Sequence, residues 1–189
     1  METQVVLFMV GEAARLMIAA VLALAAYHAM REWAVFGGIV EQYHLAPRRL
    51  AQLAARILPP LELVAAVLLV LPVAGRAGAA LGLGLMALFT TAIAINLARG
   101  RVSIDCGCGG ATGQKLSIGL VVRNLLMLLG LVLAWRAPQW GPVAGGTTLG
   151  AITIGIGGAS LTLTVLYFAA NQLMTNFQAL RTPGARTLQ

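Results

Sequence analysis

The sequence predicts an all-α integral membrane protein with five membrane-spanning helices. Three observations carry this. Hydrophobic residues make up 59% of the chain and charged residues only 10%, against about 25% charged in soluble domains. The apolar residues fall into five runs, each long enough to cross about 30 Å of hydrocarbon. The runs also lack the period-two alternation of a transmembrane β-strand. In 189 residues they cannot all be shielded in a soluble core, so the bilayer is their solvent.

The first span is predicted from about Val5 to Met30. No basic segment precedes it, and Glu12 and Arg15 interrupt its apolar run, so it reads as a retained helix rather than a cleavable leader. The segment Arg31 to Pro47 mixes Trp33, Phe36, Tyr43 and His44 with charged residues. That mixture suits the headgroup region and predicts a short interfacial helix, broken at Gly37-Gly38. Pro47 is placed in the first turn of the second span, which covers about Arg48 to Val73. Pro59-Pro60 should kink that span and release backbone carbonyls. A short turn around Arg76 leads to the third span, Ala77 to Ala98. The fourth runs from about Leu116 to Trp135, and Pro138 and Pro142 mark the turn after it. The fifth covers Thr147 to Ala170, and the polar, basic tail after Asn171 is expected to be partly disordered. Small residues at helical spacing, Gly78 with Gly82 and Gly146 with Gly150, then Gly155, Gly157 and Gly158, suggest close helix contacts.

The net charge of +7 does not point to nucleic acid, because the basic residues lie between apolar runs rather than in one stripe. No nucleotide, phosphate-loop, hydrolase or haem motif is present.

The chemistry-bearing segment is the glycine-rich loop 99–115, which holds both cysteines of the chain, Cys106 and Cys108, around Gly107. Its place between two spans puts it at a membrane–water boundary, reachable from one side. A ring closed over so short a spacing needs backbone accommodation, which glycine supplies. Such a ring is strained, and strained, exposed disulfides are the labile ones. It is a poor staple, because closing a short loop removes little entropy. Arg99, Arg101 and Lys115 favour a thiolate, whereas Asp105 opposes it or moves a proton. Other readings of the pair stand beside redox exchange. The two could be inert small residues in a turn, a bridge to another chain, or half of a soft-metal site. The last lacks further cysteines, and His28 and His44 lie in the first loop region, whereas zinc takes four ligands.

Ionisable and amide side chains at membrane depth are the other candidates. Glu12 and Arg15 share a helix face and can neutralise each other. Glu62 follows the double proline, and Asn96, Arg123 and Asn124 lie near the ends of their spans by the loop. Glu62 could pair with Arg15 or Arg123 to hold the bundle. Alternatively Glu62, Arg123 and Asn124 line a polar pocket beneath the cysteines.

These residues carry a family resemblance. The runs Asn96-Leu97-Ala98-Arg99-Gly100-Arg101, Asp105-Cys106-Gly107-Cys108 and Arg123-Asn124, with Pro59 and Glu62 in the second span, resemble the methylamine-utilisation MauE family, grouped with DoxX-like membrane proteins. The likeness covers about the first 136 residues. One departure is Gly109, where the family often has phenylalanine. The resemblance implies a four-helix transmembrane bundle of the vitamin K epoxide reductase kind over 1–136, an added fifth helix over 137–175 and a basic tail over 176–189. It also implies a multi-pass protein of the bacterial inner membrane. Its partner would be a membrane-anchored, thioredoxin-like protein of the MauD or TlpA kind, and its indirect client the small subunit of methylamine dehydrogenase. Cys106 and Cys108 would relay electrons, tuned by Asp105, Arg99 and Arg101 and supported by Glu62, Asn96, Arg123 and Asn124. The relay requires no cofactor or metal. The alternatives are a non-catalytic scaffold for the thioredoxin-like partner, or a quinone or small-molecule site using Glu62 and Arg123.

Topology sets two expectations against each other. Arg31, Arg48, Arg49, Arg56, Arg99, Arg101, Lys115, Arg181 and Arg186 fall on the cysteine side, and Arg76 and Arg136 on the other. Positive-inside counting therefore puts the cysteine loop in the cytoplasm. The implied partner and client put it in the periplasm.

Overall fold

The computed structural model describes residues 2–71, 73–107, 114–136 and 146–181, with side chains described for 6–71, 73–107, 114–136 and 154–177. Among the described residues six helices follow one another: α1 (Glu2–Arg31), α2 (Trp33–Gln42), α3 (Arg48–Val70), α4 (Gly75–Ala98), α5 (Ile118–Arg136) and α6 (Gly146–Arg181). Five of them are long and apolar enough to cross a membrane. The chain is therefore an all-helical, multi-pass membrane protein.

Four spans form a ring. α1 packs on α3, α3 on α4, α4 on α5 and α5 back on α1. The centre is filled by Ile18 and Leu22 of α1, Leu69 of α3, Phe89 of α4 and Leu131 of α5. Outward-facing Val64, Val67, Leu125, Leu126 and Leu129 are exposed, as lipid-facing side chains must be. α6 lies outside the ring against α1, where Met9 Cε would stand 3.3 Å from a Cβ at Gly155.

Gly78 and Gly82 sit at close contacts, as their spacing predicts. A Cβ at Gly78 would come within 2.5 Å of Leu69 N, so the backbones of α3 and α4 nearly touch there. Gly82 faces Leu131 and Leu22. Gly157 and Gly158 differ, with open space where a Cβ would stand. The side-chain surroundings of Gly146 and Gly150 lie outside the described residues, as do Gly109, Pro138, Pro142 and Arg186.

Several expectations need correction. Gly37-Gly38 does not break α2, which runs unbroken to Gln42 with Phe36 buried between its neighbours. Docking of α2 on α3 outweighs the weak helix preference of two glycines. Pro47 caps α3 from outside the first turn, and its carbonyl accepts from Leu50 N and Ala51 N. α3 ends at Val70 rather than Val73; it carries Pro59-Pro60 in its interior, with Pro59 itself buried. α6 runs on past Ala170 to Arg181, so the expected tail is helical as far as Arg181, and its remainder, 182–189, lies outside the described residues.

Candidate functional site

Alternation of the spans gathers the end of α1, all of α2, the start of α3, the end of α4 and the start of α5 at one end of the bundle. The loop from Arg99 to Ser117 belongs there, and Arg99 Nη1 lies 3.5 Å from the carbonyl of His44 in the α2–α3 turn. The two arms of this loop meet at an isolated antiparallel bridge between Asp105 and Lys115. Cys106 N donates to Gln114 O at 2.8 Å, and Leu116 N to Ile104 O at 3.0 Å. Tyr43, the residue capping α2, donates its hydroxyl to Cys106 O at 3.2 Å. Gly107 follows with φ +71°, a left-handed conformation that glycine adopts without strain.

Cys106 is not the surface residue that a boundary loop suggests. It is 3% exposed, clustered with Tyr43, Ile93, Ile104, Leu116 and Leu120. Apolar residues at alternate positions on both arms of the loop, Ile104 and Cys106 against Leu116, face the helices and pull the segment inward. Cys106 also borders an apolar cavity of about 220 Å³ between α2, α3 and α4, lined by Phe36, Ile39, Leu58, Phe89 and Ala92 among others. Cys108 lies outside the described residues. Arg99 and Arg101 are exposed, and Asp105 is half-buried opposite Lys115.

The polar residues separate into three places. Arg123 and Asn124 come together, with Arg123 Nε and Nη2 donating to Asn124 Oδ1 at 3.3 and 3.1 Å. Arg123 Nη1 donates to Asn171 Oδ1 of α6 at 2.8 Å, and Gln114 Nε2 donates to the same oxygen at 2.9 Å. The Arg123 guanidinium carbon also stands 5.6 Å from the centre of the Tyr167 ring. Asn96 is fully buried in the last turn of α4, donating to Ala92 O, while its Oδ1 has no partner among the described residues.

Glu62 does not join Arg123. It lies 14 residues into α3, about 21 Å from that helix's start, whereas Arg123 lies five residues into α5, about 8 Å deep. α3 and α5 are opposite members of the ring, so the expected common pocket of Glu62, Arg123 and Asn124 does not form. Glu62 is 4% exposed, and no ion pair to Arg15 or Arg123 is found among the described residues. Arg15 instead pairs with Glu12, as their spacing predicts, and its guanidinium lies against Gly75. Neither Glu62 nor Arg123 lines the apolar cavity at Cys106.

The cluster has members that the sequence reading assigned no role. Gln114 is a single glutamine in a polar loop and carries no pattern in sequence. Asn171 was legible only as an amide at the end of an apolar run. Tyr43 read as a headgroup aromatic, and its bond to Cys106 spans 63 positions of sequence.

A multi-pass helical membrane protein with a tethered cysteine loop at one end of a four-helix ring is the class that fold and site define. The profile of the methylamine utilisation protein MauE matches residues 7–136. Curated relatives are proteins named methylamine utilization protein MauE. The one from Methylorubrum extorquens is 44% identical and covers 89% of this chain and 86% of its own. That from Methylophilus methylotrophus is 36% identical, covering 88% and 86%, and that from Paracoccus denitrificans 34%, covering 87% of each. No solved structure matches. The chain belongs to the MauE family, whose name ties it to methylamine utilisation.

Proposed function

We propose that this protein is a thiol–disulfide relay of the bacterial inner membrane, serving a thioredoxin-like partner in maturation of the methylamine dehydrogenase small subunit. The observation that carries the reading is the tethered backbone at Cys106 and Gly107. Tyr43 and Gln114 hold Cys106 from two sides, and Gly107 turns left-handed between Cys106 and Cys108. An inert turn has no need of tethers on both faces.

In this reading the buried Cys106 is the resolving sulfur and Cys108 is the one that meets the partner. In the reducing direction, the Cys108 thiolate attacks the partner's disulfide, forming a mixed disulfide and releasing one partner thiolate. The Cys106 thiolate then attacks Cys108, forming the intramolecular disulfide and releasing the second. Two electrons and two protons pass to the partner, and the reverse sequence oxidises a partner dithiol.

Trapping tests the reading. Cys106→Ser should accumulate a Cys108 mixed disulfide with a thioredoxin-like protein, because the resolving sulfur is gone. If neither single serine variant traps a partner and both still mature the dehydrogenase subunit, the relay is wrong. Maturation by the double serine variant would leave a scaffold role.

Orientation is tested separately. A relay to a periplasmic partner needs the loop outside the cytoplasm, against the basic bias of that end. After reduction, an impermeant maleimide should label Cys108 in intact cells. Labelling only after lysis would overturn the periplasmic assignment.

A further inference from the structure

One side-chain oxygen joins three elements of the structure. Asn171 Oδ1 on α6 accepts from Arg123 of α5 at 2.8 Å and from Gln114 of the cysteine loop at 2.9 Å. Gln114 is the residue whose backbone carbonyl accepts the Cys106 N–H at 2.8 Å. Asn171 is 3% exposed, Gln114 2% and Arg123 9%. A short bonded path therefore runs from the outer helix to the buried cysteine.

We propose that Asn171 is a positioning residue, and that α6 holds the Cys106 arm of the loop in place through Asn171 and Gln114. The consequence for electron relay rests on the function proposed above, but the mechanical link does not. Among the described residues Gln114 Oε1 has no partner, and the bond to Asn171 is the one that satisfies its side chain. A buried amide that loses its partner is driven toward water. If Gln114 turns outward, the carbonyl that fixes Cys106 moves with it. Arg123 fixes the acceptor in turn: its fork grips Asn124 Oδ1 on α5 with two nitrogens and Asn171 on α6 with the third. α6 does not need this bond to stay docked, since it packs along α1 independently. The profile match ends at residue 136, before α6 begins, so this path brings a residue outside that match to the cysteine loop.

The test measures exposure of Cys106 in the full-length protein in bilayers, reduced and carrying Cys108→Ser, as its rate of alkylation by N-ethylmaleimide. A buried thiol reacts only when its segment opens. Asn171→Leu should raise the rate about tenfold, and Gln114→Leu by a similar factor. The double variant should rise no further than either single one, because both break the same link. Asn171→Asp, which keeps an acceptor for both donors, should stay within about twofold of the parent. An unchanged rate in Gln114→Leu overturns the proposal, and that variant keeps the Arg123–Asn171 bond should Asn171→Leu fail to fold. Multiplying effects in the double variant, or a rise in Asn171→Asp equal to that in Asn171→Leu, also overturn it. The readout needs no redox partner, so failure to trap a partner would sink the relay and leave this link standing.

Discussion

Replacing Gly107 with alanine tests whether the backbone between the cysteines is built as described. Gly107 has φ +71°, and a Cβ there would stand 3.1 Å from Ile39 Cγ2 and 3.6 Å from Phe36 Cε2. Holding a residue with a side chain in the left-handed region costs about 1–2 kcal/mol. Ordinary contact begins near 3.4 Å, so Ile39 must also yield by about 0.3 Å. If the loop relaxes by opening, 1–2 kcal/mol corresponds to about a 5- to 30-fold larger open population. Cys106 in the Gly107→Ala variant, reduced and carrying Cys108→Ser, should therefore react with N-ethylmaleimide faster by that factor. Gly100 supplies the control. Its φ is +72°, but nothing lies within 4 Å of its would-be Cβ. Gly100→Ala carries the backbone cost alone, so Gly107→Ala should lower the unfolding temperature more. A Gly107→Ala protein with the parent's alkylation rate and unfolding temperature would refute the left-handed, packed turn.

Three further outcomes follow from the packing. Arg123→Ala should destabilise the protein by about 2 kcal/mol or more, read by unfolding in detergent, because it removes three bonds of a charged donor from the membrane interior; Arg123→Lys should fall between, since an ammonium cannot span both acceptors as the fork does. Gly78→Ala forces the α3 and α4 backbones apart, because its Cβ would meet Leu69 N at 2.5 Å and Leu68 C at 2.7 Å, and a loss of about 1–3 kcal/mol is expected in the same assay. Glu62→Gln keeps volume and removes a buried carboxyl that has no ion pair among the described residues, so the unfolding temperature should hold or rise; a marked fall would show that the carboxyl is bonded in the bundle.

Much of the site is invisible in sequence for a definable reason. Glu62, Arg123 and Asn124 look alike when read along the chain, as polar residues inside apolar helices. Depth separates them, and depth follows from helix length and direction. Opposite placement of α3 and α5 in the ring then prevents a meeting that composition alone permits. Cys106 reads as exposed because it stands between aspartate and glycine in a polar, glycine-rich loop. Its neighbours in space are Ile93, Leu116, Leu120 and Tyr43, from three separate parts of the chain.

The number of spans, their order and the Glu12–Arg15 pair were determined by the sequence alone. Each follows from local hydropathy or from helical spacing, which need no knowledge of partners. Tertiary structure decided that Cys106 is buried, that α2 survives its glycines, and that Gln114, Arg123 and Asn171 meet at one oxygen. These depend on which faces of distant helices are turned toward each other, and hydropathy does not encode that choice when most faces are equally apolar.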